Sequence, residues 1–578
     1  MVLRSRQWLD GDDEVAVAHR VALRSAGLDV SAEPEGDSGP RPVIGIADSS
    51  SDLNPCNLPL HELAAAAAEG VLAAGGLPAR FPTMSLGEDL MKPSAFLYRN
   101  LLAMEIEETI RANPLDGIVV LANCDKTVPA VLMGVASADI PAIAVLGGAR
   151  PTSQFRGRAI GTGTDLWRLW DDHRAGRLDD GGWNELERCL SCGLGACNTM
   201  GTASTMALLT EALGMALPGK SVAPAGSAES IEAARAAGTR AVELALADIR
   251  PRDILTEAAF ENAVTVLHAI GGSTNAIIHL PAIAGRLGIR LDPQRMSRLG
   301  KGVPVLADVE PSGSLLIHDF HRSGGLPALE REIADLLHLD APTCAGPTVG
   351  QNLAAAGARG PAIRERERPL ATDGSFRAVS GTLAPDGAVI KTSAASASLL
   401  RHTGPALVFH GYRDLRDRID DPGLGVTADT VLVLEGCGPV GVPGMPEWGM
   451  IPIPAKLAAA GVTDMVRISD SRMSGTSFGT VFLHAAPEAA VGGPLALVRD
   501  GDLIAVDVEA GTIDLLVDPA ELDRRRRAWA PPVSPHVRGW PALYRAHVTQ
   551  APLGCDFDFL QAPTNAFPEF VQPVVGRS

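Results

Sequence analysis

The chain has 578 residues, too many for one hydrophobic core, and its 46% hydrophobic and 20% charged residues are those of an ordinary globular protein. A formal net charge of −18 argues against a nucleic-acid or anionic-membrane partner, because phosphate contact needs clustered Lys and Arg. No apolar run approaches the ~18 residues of a membrane span, and the opening MVLRSRQWLDGDDEVA carries acids where a signal peptide needs an apolar core, so a cytoplasmic location is expected.

In chain order, Val43 to Ala47 reads as a short apolar strand and Leu60 to Ala74 as an alanine-rich helix. Pro93 to Ala112 reads as a second helix, with Pro93 suited to its first turn. Gly117 to Ala122 has the pattern of a buried strand, followed by a helix from about Val128 and a strand over Ala142 to Leu146. Strands that lack polar alternation and are separated by helices indicate a parallel sheet covered on both faces. Helical patterns continue over Thr202–Leu213, Ser227–Leu246 and Leu326–Leu337. The character changes near residue 370, after Arg364-Glu365-Arg366-Glu367-Arg368-Pro369. Short β-type runs follow at 388–390, 406–409, 430–434 and 503–506, punctuated by glycine and proline. The expectation is therefore an α/β protein: a large N-terminal α/β domain with a parallel sheet over 1–370, then a β-barrel-like C-terminal domain over 371–578. The proline-rich tail after Ala562 reads as a wrapping arm or a loose end.

Eight cysteines in so long a chain do not form a disulfide framework, and each taken singly is as readily a small buried hydrophobe. Three stand in loops of similar character. Cys56 lies just past the first strand, in Asn54-Pro55-Cys56-Asn57, and Cys124 immediately past the strand ending at Ala122. Ligands of open α/β sheets gather at the carboxyl ends of strands, which makes these two loops natural neighbours. Cys197 opens a helical run, and a helix N-terminus favours the thiolate that binds metal. Three thiolates can hold an iron–sulfur cluster while one iron keeps a site open for substrate, whereas electron-transfer clusters usually take four.

Asp125 and Lys126 follow Cys124 directly, Glu88 sits in Ser85-Leu86-Gly87-Glu88-Asp89, and Glu447 in Pro443-Gly444-Met445-Pro446-Glu447. Carboxylates of this kind suit Mg²⁺. Each acid alone is equally a solvated loop residue, and Lys126 a salt-bridge partner of Asp125. Ser474, in Asp470-Ser471-Arg472-Met473-Ser474-Gly475-Thr476, stands before a helix-like run. It reads either as a hydroxyl presented to a pocket or as the N-cap of that helix. There is no Walker loop, nucleotide-binding glycine fingerprint or Ser–His–Asp arrangement.

Together these stretches resemble the dihydroxy-acid dehydratase and phosphogluconate dehydratase family, from about Leu3 to Phe559. The matching pieces are the Cys56 loop, Cys124-Asp125-Lys126, Cys197 to Thr205, Gly271-Gly272-Ser273-Thr274-Asn275, GTLAPDGAVIK at 381–391, GCGPVGVPGMPE at 436–447 and Arg472 to Thr476. The resemblance implies an active site between two domains, and homodimers often paired into tetramers. It implies that Cys56, Cys124 and Cys197 ligate the cluster, and that Glu88, Asp125 and Glu447 ligate Mg²⁺. Lys126 matches a family lysine that is carbamylated in several members. Ser474 matches the catalytic base, which as an alkoxide removes the C2 proton of a 2,3-dihydroxy acid before the C3 hydroxyl leaves.

The Asn198-Thr199-Met200-Gly201 continuation, the opening Leu3 to Trp8 and the closing Gly554 to Phe559 resemble the sugar-acid branch, with pentonate (arabinonate or xylonate) dehydratases nearest. That branch favours a [2Fe–2S] over a [4Fe–4S] cluster. The alternatives are a dihydroxy-acid dehydratase of branched-chain biosynthesis and, in another class, a non-catalytic iron–sulfur sensor or electron carrier. Cys189-Leu190-Ser191-Cys192 departs from the family pattern, since a C-x₂-C pair often binds metal.

Overall fold

The computed structural model describes residues 3–30, 41–563 and 572–577. Two helices open it, α1 (Arg6–Leu9) and α2 (Glu14–Ser25). An α/β layer follows, with β1 (Val43–Asp48), α3 (Leu60–Ala73), β2 (Leu77–Pro82), α4 (Arg99–Ala112), β3 (Gly117–Ala122), α5 (Thr127–Ala138) and β4 (Ala142–Leu146). The four strands form one parallel sheet in the order β2-β1-β3-β4. Every residue of β1, β3 and β4 is buried, which explains their unbroken apolar sequences: both faces are covered.

Beyond the sheet come a small hairpin, β5 (Ser153–Phe155) and β6 (Arg158–Ile160), then α6 (Thr164–Arg174), α7 (Asp180–Leu190), α8 (Thr202–Ala212) and α9 (Ala228–Ala247). The helix expected from Pro93 begins later. Ser94 accepts a hydrogen bond from the Phe96 N–H at 3.1 Å and starts a 3₁₀ turn, Ala95–Tyr98, which runs into α4. The run Leu326–Leu337 is likewise divided, into a helix Gly325–Glu332 and a 3₁₀ turn Ala334–Leu336. No described helix is long and apolar enough to cross a membrane.

The second half is an eight-stranded sheet: β7 (Arg377–Val379), β8 (Gly387–Ile390), β9 (Arg401–His410), β10 (Val431–Glu435), β11 (Arg467–Ser469), β12 (Val481–Ala486), β13 (Leu503–Asp507) and β14 (Thr512–Leu515). Its order is β14-β13-β9-β10-β11-β12-β8-β7, with β9 to β12 mutually parallel and the outer strands antiparallel. The two ends of the sheet meet. Ser380 N–H donates to the Gly511 carbonyl at 3.0 Å and Ile513 N–H to the Ser380 carbonyl at 3.3 Å, so the sheet is a nearly closed barrel. Val379, Ile390, Val408, Val433, Ile468, Phe482, Ile504 and Ile513 share one apolar core within it.

Ser474 does not cap a helix. Residues 470–480 form a loop that runs straight into β12. The sequence VFLHAA is buried throughout, so its pattern does not separate a covered strand from a helix. Of the proline-rich tail, residues 564–571 and 578 lie outside the described residues. The segment 572–577 is described, and Gln572 accepts from the Arg4 guanidinium at 3.1 Å.

Helices α3 and α9 back the sheet with their main chains in contact. A Cβ at Gly238 would stand 2.0 Å from the Ala67 carbonyl oxygen, and one at Gly70 would stand 1.9 Å from that of Arg235. Gly238→Ala should therefore force the helices apart and lower stability by about 1–3 kcal/mol. Gly357→Ala, where nothing lies within 4 Å, should leave it unchanged. Denaturant midpoints of the two variants check this.

Candidate active site

Strands β1 and β3 are adjacent, so the loops that leave their carboxyl ends are too, and these carry Cys56 and Cys124. Asn123 ties them, its amide donating to the Cys56 carbonyl at 2.7 Å and the Gly148 carbonyl at 2.8 Å. Asn57 accepts from the Cys124 N–H at 2.8 Å. The third loop is stitched to the same place by main-chain bonds: Gly195 N–H to Pro55 O at 3.1 Å and Ala196 N–H to Gly148 O at 3.0 Å. Cys56, Cys124 and Cys197 consequently line one pocket, together with Glu88, Asp125, Glu447 and Ser474. All eight candidate site residues are brought together except that Lys126 lies just beneath the pocket wall, fully buried, with its ammonium on the carboxylates.

Burial opposes ionisation of Cys124 and Cys197. It pushes Cys197 up to about 12, helped by Cys56 and resisted by the Arg150 guanidinium. Cys124 is held well above the usual thiol range by its contact with Cys56 and by burial. The helix-end argument for Cys197 does not hold here, because α8 starts only at Thr202 and desolvation outweighs it. Ligation of a metal by these thiols must release protons.

The carboxylates surround a cation. Lys126 Nζ lies 2.8 Å from Glu447 Oε1 and 3.4 Å from Glu88 Oε2, and it also pairs with Asp125. Burial alone would lower its pKa, but Asp125, Glu447 and Glu88 raise it above the ordinary lysine range. Arg472, fully buried, donates to Glu447 at 2.8 Å, to Ser94 Oγ at 2.9 Å and to the Met445 carbonyl at 2.8 Å. Asn275 donates to Glu447 Oε1 at 2.6 Å. Burial pushes Glu447 upward, yet Lys126, Arg472 and these hydrogen bonds hold its carboxyl down at about 2. Glu88 moves the other way, raised by burial and by Glu447 and Asp125 against the pull of Lys126. Three carboxylates thus converge on the Lys126 ammonium; among the described residues no three His, Cys, Asp or Glu side chains are already arranged to hold a metal ion.

Ser474 is half-buried on the barrel side, its Oγ 2.9 Å from Thr476 Oγ1. An acid-assisted or Lewis-acid elimination suits this assembly: soft ligands and hard ligands share one pocket with a hydroxyl.

Residues 41–352 match the family described as dihydroxy-acid/6-phosphogluconate dehydratase N-terminal, and residues 361–555 its C-terminal counterpart. The chain belongs to the dihydroxy-acid/6-phosphogluconate dehydratase family. It is a dehydratase, a hydro-lyase. It is 48% identical over 568 residues to the 6-deoxy-6-sulfo-D-gluconate dehydratase of Pseudomonas putida, covering 97% of this chain and 96% of the relative. It is 46% identical to the L-arabonate dehydratase of Azospirillum brasilense, covering 96% and 97%. It is 44% identical to the L-arabinonate dehydratase of Rhizobium leguminosarum bv. trifolii, covering 97% and 96%. These similarities place it with the sugar-acid branch of the family.

The remaining cysteines of the dehydratase stand apart from this pocket. Cys189 packs in a satellite cluster with Phe155, Leu178 and Leu186, and Cys192 donates to the Pro151 carbonyl at 3.1 Å. Cys344, Cys437 and Cys555 are buried in apolar clusters elsewhere. Sequence reading quoted Arg472, Asn275 and Thr476 inside motifs without giving them roles, and it passed over Arg150. Their signal is tertiary: a buried guanidinium needs an anion, and Glu447 supplies it.

Replacing Lys126 by Met would leave three half-buried carboxylates facing Arg472 alone. The metal-free Lys126→Met protein should be destabilised by about 3–5 kcal/mol, read from its denaturant midpoint.

Proposed function

We propose that the protein dehydrates an aldonate with a 2,3-dihydroxy acid head to the 2-keto-3-deoxy acid, using an iron–sulfur cluster and Mg²⁺. The observation that carries this reading is the single pocket shared by three cysteines, four carboxylates and a serine hydroxyl. Cys56, Cys124 and Cys197 would hold the cluster, taken as [2Fe–2S], and Glu88, Asp125 and Glu447 the Mg²⁺. When bound, these groups supply Lewis-acid polarisation of the substrate's carboxylate and hydroxyl oxygens. Lys126 as an ammonium balances the carboxylates, and as a carbamate it would add an anionic oxygen to them. Ser474, as an alkoxide, takes the C2 proton, the C3 hydroxyl leaves as hydroxide and receives that proton back from Ser474 to become water, and the enol tautomerises to the keto acid.

Sugar-acid specificity is supported by the relatives that act on sulfogluconate, arabonate and arabinonate. The pocket wall offers the exposed Asp89 carboxylate as a polar partner for hydroxyls beyond C3. Against the methyl groups of a branched dihydroxy acid a polar partner of this kind would lose its hydrogen bond, at about 1–3 kcal/mol.

Replacing Cys56, Cys124 or Cys197 by serine should remove the visible iron–sulfur absorption and the activity together. The same change at Cys344, Cys437 or Cys555 should spare both, and chelating Mg²⁺ should silence the enzyme reversibly without bleaching it. A coloured, active Cys197→Ser protein would overturn the cluster assignment.

In an anaerobic assay of 2-keto acid formation with Mg²⁺, at least one C5 or C6 aldonate should show a higher kcat/KM than 2,3-dihydroxyisovalerate. Preference for dihydroxyisovalerate would replace the sugar-acid reading by the branched-chain one and leave the dehydration chemistry intact.

A further inference from the structure

The segment 153–190 has its own small apolar cluster, built on Phe155, Ile160, Leu178 and Leu186, separate from the main core. It nevertheless reaches the loop that carries Ser474. The start of α6 is moulded on Thr476: Thr164 Oγ1 donates to the Thr476 carbonyl at 3.0 Å. Gly163 has φ +93°, and a Cβ there would stand 2.7 Å from Thr476 Oγ1 and 2.9 Å from Thr476 Cβ. One turn further on, the Trp167 indole N–H donates to Thr476 Oγ1 at 3.1 Å. Thr476 Oγ1 in turn lies 2.9 Å from Ser474 Oγ, which also receives the Thr476 N–H at 3.3 Å. Farther along α6, Arg174 pairs with Asp420 of the barrel half at 2.6 Å, which fixes the helix at a second point.

We propose that Trp167 is a positioning residue for Ser474, acting through the Thr476 hydroxyl. An indole N–H only donates, so Thr476 Oγ1 is the acceptor on that side. Accepting that bond polarises the Thr476 O–H and makes it a better donor toward Ser474. Ser474 Oγ then receives two donors from Thr476, the O–H and the N–H. Both hold the oxygen in place and stabilise the negative charge it carries once its proton has gone. Bonds to charge that develops only during reaction act on turnover rather than on substrate binding. The inference rests on the reading of Ser474 as the base. It adds a residue from a different element, more than 300 positions away in sequence.

Trp167→Phe keeps the ring and removes the N–H. Trp167 is 39% exposed, so the change opens no buried cavity. On the holoenzyme with its preferred aldonate, kcat should fall about five- to tenfold, with KM within about twofold and iron content and visible absorption unchanged. Trp167→Met, also without the N–H, should behave alike and serves if the Phe variant is unstable. In a Thr476→Val background, Trp167→Phe should cost nothing more, whereas in Thr476→Ser, which keeps the hydroxyl, it should cost as much as in the wild type. Unchanged kcat, a loss confined to KM, or a full additional loss on top of Thr476→Val would overturn the proposal. Ser474→Ala separates the two ideas. If that variant keeps turnover, the base reading falls. If it is silent while the Trp167 variants turn over normally, the base reading stands and the role given to Trp167 falls.

Discussion

The interaction on which the rest depends is the buried ion cluster of Lys126 with Asp125, Glu447 and Glu88, joined by Arg472. Glu88, Asp125 and Lys126 come from loops of the parallel-sheet half, and Glu447 and Arg472 from the barrel half. Each half pairs its own cation, Lys126 with Asp125 and Glu88 and Arg472 with Glu447, and the Lys126–Glu447 pair joins the two halves. Three carboxylates face two cations, which leaves the cluster a formal excess of one negative charge.

The scaffold around it works by placing loop ends. Adjacent parallel strands bring Cys56 and Cys124 side by side, and Asn123 and Asn57 lock the two loops with side-chain hydrogen bonds. Cys197 has no strand to place it and relies on main-chain bonds to Pro55 and Gly148. The Cys56 contact raises Cys124 and burial raises Cys197, so ligation by these two thiols is proton-linked.

Much of this was legible in the sequence, and for definite reasons. The strands over Gly117–Ala122 and Ala142–Leu146 were readable to the residue, because a strand covered on both faces is apolar without interruption. The same property misled at VFLHAA, where a covered strand of the barrel carries a helix-like pattern. The start of the helix near Pro93 was misplaced because a serine side chain, not the proline, captures the first free N–H. The site cysteines and acids were recognisable as sets of chemically matched loops in a known order.

What the sequence determined by itself is the inventory: which donors exist, which half carries them, and which family order they follow. Those are local properties of composition, period and motif. Only the tertiary structure decided that Lys126 sits beneath three carboxylates, that Arg472 and Asn275 complete Glu447, and that Trp167 reaches the Ser474 loop. Each of these pairs residues far apart in the chain, and nothing local in either partner announces the other. A buried polar group must be satisfied, but the sequence states only the need. The packing of the two halves chooses the partner.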